Sequence, residues 1–193
     1  MQRLMIVDLE ATCERDGWTG LDMMETIEIG AVVIDMNTYE MVAEFQSFVR
    51  PTLHPTLTAF CAELTTIRQE DVDCAPLFPE AFARFCQFAK QQRADAWGSW
   101  GWYDLKQFMK DCERTETQMD LPVHVNVKRC FTSARGIGKD VGMKKALDIL
   151  DIPMNGTHHR GIDDARNIAK TVPFAKAAIL DAYHLVLNKT ELS

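Results

Sequence analysis

At 193 residues, 47% apolar and 25% charged, the chain is long enough to bury a core and reads as one globular domain over 1–193, with no repeat, low-complexity stretch or Gly/Ser linker. A net charge of −7 is awkward for gripping long nucleic acid unaided; an apolar run that begins straight after Met1-Gln2-Arg3 and meets an acid at position 8 fits neither a signal peptide nor a membrane span, so a cytoplasmic protein without a membrane partner is expected. Six cysteines (13, 61, 74, 86, 112 and 130) without any Cys-x-x-Cys pair argue against a zinc cluster or redox motif and suit buried free thiols.

The first predicted strand, about Leu4 to Leu9, holds the most informative pair. In Leu4-Met5-Ile6-Val7-Asp8-Leu9-Glu10-Ala11-Thr12, Asp8 and Glu10 lie two apart, so a strand turns both carboxylates to one face. Burying two ionised carboxylates together is costly unless a cation neutralises them, and hard oxygen ligands suit a divalent metal. An isolated Asp-x-Glu is more often just a solvated strand face, so the pair needs support elsewhere.

Thr26 to Asp35 and Met41 to Val49 are predicted as two further strands, antiparallel neighbours joined by the turn at Met36-Asn37-Thr38. Beyond Arg50-Pro51 the pattern changes to short helices and loops over Phe60 to Val72. Pro79 suits the first turn of a helix whose Phe82, Phe85, Cys86 and Ala89 repeat at helical spacing. A short strand follows around Ala94 to Trp97, then a helix from Asp104 to Arg114 with Leu105, Phe108, Met109 and Cys112 as its stripe. An alternating strand near His124 to Cys130 comes next, then helices at about Asp140 to Leu150, Ile162 to Val172 and Pro173 to Leu187. A meander followed by strands interleaved with helices predicts an α/β fold, a mixed sheet with helices packed on it.

The other candidate acids sit at the edges of these elements. Asp104 lies between the run Trp97-Gly98-Ser99-Trp100-Gly101-Trp102-Tyr103 and a helix, with Gln107 three residues on; Asp-x-x-Gln is also a capping pattern, so cap and ligand both stand open. Trp100 and Trp102 could stack bases or simply pack. In His158-His159-Arg160-Gly161-Ile162-Asp163-Asp164-Ala165-Arg166-Asn167-Ile168-Ala169 helical phase separates two aspartates. Ala165, Ile168, Ala169 and Val172 define the buried stripe, Asp164 falls at its edge facing the sheet, and Asp163 falls nearly opposite, toward solvent or the first turn. His159 lies on the loop entering that helix, free to move toward solvent, and His158 reads as an exposed histidine without a role.

Asp8-x-Glu10 on a first strand, Asp104 after a central strand, and His159 with Asp164 five residues later resemble, in order and spacing, the three motifs of the DEDDh 3′–5′ exonucleases, whose fold is RNase H-like. Phe60-Cys61-x-Glu63-Leu64-Thr65, Trp97-Gly98-Ser99-Trp100-Gly101 and Gly142-Met143-Lys144-Lys145-Ala146-Leu147 are most similar to the histone-mRNA 3′-exonuclease group and its bacterial relatives, some named inhibitors of a sporulation-kinase pathway. The resemblance spans roughly positions 3 to 187. Thr66 departs from it where glycine is expected in a Leu-Thr-Gly-Ile turn, and Trp102 where a small polar residue is usual; both are expected near the substrate groove.

The resemblance implies a five-stranded RNase H-like sheet flanked by helices and a hydrolase that uses two Mg²⁺ or Mn²⁺ ions. Asp8 would bridge them, Glu10 and Asp164 would hold the nucleophile-side ion, Asp104 the other, and His159 would take the proton from the attacking water, releasing nucleoside 5′-monophosphates. Ala11, Thr12, Phe60, Trp100, Lys144 and Lys145 are the substrate-binding candidates. The partner expected is a single-stranded 3′ end, with RNA favoured over DNA by the resemblance alone and the oligomeric state left open. An oligoribonuclease-type dinucleotide degrader and a catalytically idle binding or regulatory protein on the same fold are the alternatives. Two bound divalent ions would offset the four carboxylates, leaving about −3 overall. Between Lys128 and Lys145 six cations face Asp140 alone, a local balance of +5 and the best candidate track for a nucleic-acid backbone.

Overall fold

The computed structural model describes residues 1–15 and 21–190. Three antiparallel strands form the predicted meander: β1 (Arg3–Ala11), β2 (Thr26–Asp35) and β3 (Met41–Phe48). The β2–β3 turn is held by Asp35, whose Oδ1 accepts the Asn37 and Thr38 N–H groups at 2.7 and 3.2 Å, an Asx-type turn. β4 (Ala96–Ser99) pairs with β1 in parallel and β5 (Val123–Asn126) pairs in parallel with β4, so the order is β3-β2-β1-β4-β5. β1 is therefore the central strand, covered on both faces, which is why its residues read as a nearly continuous apolar run.

On one face lie α3 (Phe78–Gln91) and α4 (Tyr103–Arg114), which pack Phe82, Phe85 and Phe108 against Met5, Val7, Ile29, Val33 and Trp97. The predicted α3 stripe is buried as expected, with Pro79 in its first turn. On the other face α5 (Val127–Ala134), α6 (Met143–Ile149), α7 (Gly161–Ala169) and α8 (Lys176–Thr190) enclose Leu4, Ile6, Val32 and Ile34 with Phe131, Leu147, Ile162, Ile168 and Ile179. Between β3 and α3 come the short α1 (Ala59–Thr65) and α2 (Gln69–Asp73). Thr58 caps α1 by accepting the Cys61 N–H at 3.0 Å, and α1 ends at Thr66 in the left-handed region, φ 59.

Some boundaries differ from expectation. The strand predicted to run to Cys130 stops at Asn126, because the Asn126 Oδ1 accepts the Arg129 N–H at 3.0 Å and starts α5 instead. α6 begins at Met143 rather than Asp140, with Gly142 as its N-cap, and a 3-10 turn over Val172–Ala175 precedes α8. Among the described residues no helix is long and apolar enough to cross a membrane.

Candidate active site

Strand register and one close backbone contact assemble the site. Across the β1–β2 ladder Asp8 faces Gly30 and Glu10 faces Glu28. A Cβ on Gly30 would lie 2.1 Å from the Gly161 carbonyl carbon, so only glycine lets the start of α7 settle on β2. Asp164, in the first turn of α7, thereby comes to the β1 carboxylates, and Asp8, Glu10 and Asp164 each offer an oxygen within 4.8 Å of the others. The Asp164 Oδ2 accepts the His159 backbone N–H at 3.0 Å and lies 2.8 Å from the His158 Nδ1; its Oδ1 is buried without a hydrogen-bond partner.

Asp104 enters from the β4–α4 connection. It is not the cap of α4, since Trp102 holds the N-cap position and Gln107 turns away to the Met24 carbonyl and Asp111. The buried Asp104 carboxylate instead accepts the Leu9 N–H at 3.1 Å, which ties it to the strand between Asp8 and Glu10.

Mutual repulsion dominates the electrostatics. Burial, followed by the charges of Asp104, Glu10, Asp164 and Glu28, holds the Asp8 carboxyl well above the usual carboxylate range. Burial and then Asp164 and Glu28 push Glu10 up to about 9. Asp104 is also raised, by burial, against the Ser99 hydroxyl, the Leu9 N–H and the Lys128 charge that favour its ionised form. Three converging oxygen donors, of which Asp8 and Glu10 are held above the usual carboxylate range and Asp164 has an orphaned buried oxygen, have the chemistry of a divalent cation site. Burial and the neighbouring His158 hold the His159 ring below its ordinary value, opposed by Asp164.

The carboxylates floor an open cleft of about 430 Å³ walled by Leu64, Trp100, Tyr103, Met143, His158 and His159. Residues 5–172 match the family described as Exonuclease (RNase_T). The chain belongs to this exonuclease family. It is 29% identical to the 3'-5' exonuclease eri1 of Schizosaccharomyces pombe over 89% of this chain and 67% of that protein. It is 30% identical to ERI1 exoribonuclease 2 of Homo sapiens over 86% of this chain but only 27% of that longer protein. Its fold superposes on the nuclease domain of 3'hExo, a DEDDh family member bound to rAMP, with a TM-score of 0.79 and 26% identity, covering 89% of this chain and 90% of that domain. The mixed five-stranded sheet with flanking helices is thus the RNase H-like exonuclease fold, and metal-dependent 3′–5′ exonucleolysis is the family chemistry that this site suits.

Within this exonuclease cleft the other expected residues divide. Ala11 and Trp100 line it, the Trp100 Nε1 donating to the Val141 carbonyl at 3.0 Å beside the start of α6. Thr12 is buried, its hydroxyl accepting the Glu25 N–H at 2.9 Å. Phe60 lies outside the lining under the Arg15 guanidinium, 5.1 Å from its ring. Lys144 and Lys145 are exposed on α6, next to Gly142 and Met143, which do line the cleft. Neither Thr66 nor Trp102 reaches the lining; the Trp102 ring packs 5.3 Å from that of His124.

Asp163 is a first-turn residue as expected, but it faces the loop rather than open solvent: it accepts the Thr157 N–H at 2.9 Å and pairs with Arg166 at 2.9 Å. His158 has acquired the contact to Asp164 that an exposed, idle histidine would lack. Leu64 and Tyr103, inside the quoted motifs, line the cleft without a separate signal of their own. Glu28 carries the same signal as Asp8, an acid within an apolar strand.

Proposed function

We propose that this chain is a metal-dependent 3′–5′ exonuclease that shortens single-stranded 3′ ends, RNA favoured, and releases nucleoside 5′-monophosphates in the cytoplasm, where its six free thiols would stay reduced. The observation that carries this is the convergence of Asp8, Glu10 and Asp164 with one Asp164 oxygen left unpartnered. Asp8, Glu10 and Asp164 would hold one Mg²⁺ or Mn²⁺ ion, and Asp8 with Asp104 a second. Such a pair of ions, when bound, stabilises both the attacking and the leaving oxygen of a phosphodiester.

The chain's own groups supply the rest. His159, kept neutral at neutral pH by its partial burial, is the base that accepts the proton of the attacking water at an imidazole nitrogen. Trp100 offers a ring face to the terminal base, and Leu64 and Met143 help exclude water from it. Lys144 and Lys145, at the rim beside Met143, would hold the phosphates that trail out of the cleft. The preference for RNA draws support from the human relative named an exoribonuclease.

The deciding experiment is degradation of matched 5′-labelled single-stranded RNA, single-stranded DNA and overhang duplexes in Mn²⁺, Mg²⁺ and chelator. Stepwise shortening from the 3′ end, lost in chelator and fastest on RNA, is the expected result. Activity that collapses beyond dinucleotides would make the protein an oligoribonuclease instead, and no hydrolysis of any substrate would leave a binding protein.

A further inference from the structure

Glu28 is a fully buried acid that the proposed chemistry does not use. It stands opposite Glu10 across the β1–β2 ladder, and its charge bears on both Asp8 and Glu10, so a fifth carboxylate here aggravates the crowding of the site. A group so costly to bury is held only by partners, and each of its oxygens has them. The Gln46 Nε2 donates to its Oε1 at 2.6 Å, while the Arg160 Nε and the Gly161 backbone N–H both donate to its Oε2 at 3.1 Å.

Those partners define a seat for α7. Gly161 is the first residue of that helix and Arg160 its N-cap, so Glu28 satisfies an orphan N–H of the first turn and meets the positive end of the helix dipole. Two residues along the same face of β2, Gly30 provides the bare backbone on which Gly161 rests. The Arg160 guanidinium is fixed from the other side by the Phe48 ring, 5.3 Å away, and the Arg160 carbonyl accepts the Asp164 N–H at 2.8 Å. Glutamine would keep an acceptor for Arg160 and Gly161 if the Gln46 amide turned over, but it would lose the negative charge that meets the Arg160 guanidinium and the positive end of the helix dipole.

Resting on the exonuclease reading above, we propose that Glu28 is a positioning residue: its carboxylate fixes the first turn of α7 on β2 and so sets where Asp164 and the His158–His159 pair stand relative to Asp8 and Glu10. The metal ligands contributed by β1 and α7 are far apart in the chain, and Glu28, paired with Glu10 in the β1–β2 register, ties the start of α7 to the sheet beside them.

The test compares wild type, Glu28→Gln, Arg160→Lys and a stability control, Phe85→Leu, buried on the opposite face of the sheet. Four quantities are measured: thermal midpoint, Mn²⁺ affinity by calorimetry, and kcat and KM on labelled single-stranded RNA. Loss of a residue that orients metal ligands typically costs on the order of 10- to 100-fold in metal affinity or activity. Glu28→Gln should therefore lower kcat and weaken Mn²⁺ binding by about that much with KM nearly unchanged, while Phe85→Leu loses thermal stability only. Arg160→Lys, which keeps the charge but not the guanidinium geometry, should move kcat and Mn²⁺ affinity in the same direction and is read on its own if Glu28→Gln does not fold. If wild type hydrolyses RNA and both variants match Phe85→Leu in kcat and Mn²⁺ affinity, Glu28 is merely structural and the positioning role is overturned. A wild type that neither binds Mn²⁺ nor hydrolyses RNA would overturn the exonuclease reading and this role with it.

Discussion

The His158 Nδ1 lies 2.8 Å from the Asp164 Oδ2, and the His159 ring stacks behind it with centroids 4.0 Å apart. The two histidines therefore have different relations to the site. His158 engages the Asp164 carboxylate through a ring nitrogen at Oδ2, the oxygen beside the orphaned one, whereas His159 meets Asp164 through its backbone N–H.

His159→Ala should lower kcat by on the order of 10² to 10⁴ while Mn²⁺ binding persists. Because the ring acts in its neutral form and is held below 6.5, wild-type activity should fall only as pH drops beneath that value. His158→Ala should act mainly on Mn²⁺ affinity, by removing one of the two partners of the Asp164 Oδ2. Single-turnover rates against pH for both variants check this; a larger rate loss in His158→Ala would transfer the base to His158.

The acid cluster links stability to pH with a definite sign. The Glu10 carboxyl ionises near 4.5 in the unfolded chain but near about 9 in the fold, so its contribution is fully present below the lower value and is lost as pH rises toward the upper one. Metal-free protein should lose thermal stability over that window, and Mn²⁺ should restore it by mass action. Glu10→Gln should raise the metal-free midpoint, each kcal/mol being worth about 2–4 °C in a protein of this size, while removing the Mn²⁺ response. Melts of both proteins in chelator across the window decide the matter; identical pH slopes would mean that the cluster is relaxed by water.

Asp164→Asn should abolish Mn²⁺ binding and nearly all activity. Asp163→Asn should keep Mn²⁺ binding and most of kcat yet destabilise by about 1 kcal/mol, since it weakens a loop hydrogen bond and the pair with Arg166. Denaturant midpoints together with activity separate the two, and equal activity losses would contradict the helix geometry.

Thr66→Gly should stabilise the protein by about 1 kcal/mol, because a β-branched residue at φ 59 carries left-handed strain that glycine relieves. Activity should be unchanged, as Thr66 lies outside the cleft lining. A lower urea midpoint for the glycine variant would show that the Thr66 side chain makes a compensating contact.

Neutralising Lys144 and Lys145 together, in an Asp8→Asn background that binds without cutting, should weaken RNA affinity equally across sequences. It should also flatten the dependence on salt by about 0.7 in log–log slope for each phosphate no longer held. Binding isotherms at several salt concentrations measure both quantities. An unchanged slope would return the two lysines to ordinary helix surface.

Three of the site's carboxylates carry local signals, whereas Asp104 stands open between cap and ligand until the resemblance is drawn. Asp8 and Glu10 share a face by strand alternation, and helix phase alone favoured Asp164 over Asp163. The contacts that hold them were not legible, because they join residues far apart: Leu9 with Asp104, Glu28 with Gly161, Gly30 with the same glycine. The start of α5 was hidden because Val123, Val125 and Val127 continue the alternation of β5, and one side chain, Asn126, turns the strand into a helix. A motif also carries neighbours with different tasks, as Thr12 illustrates: it follows the cleft residue Ala11, yet it braces Glu25.

The backbone contact between Gly30 and Gly161 also has a temporal meaning. Asp8 and Glu10 are synthesised first and Asp164 among the last residues of the fold, so a chain growing from the ribosome carries an unfinished acid pair until α7 has emerged and docked. The two parts of the site thus meet only through the docking of α7 on β2, and a segment that stops short of α7 holds the β1 acids without Asp164.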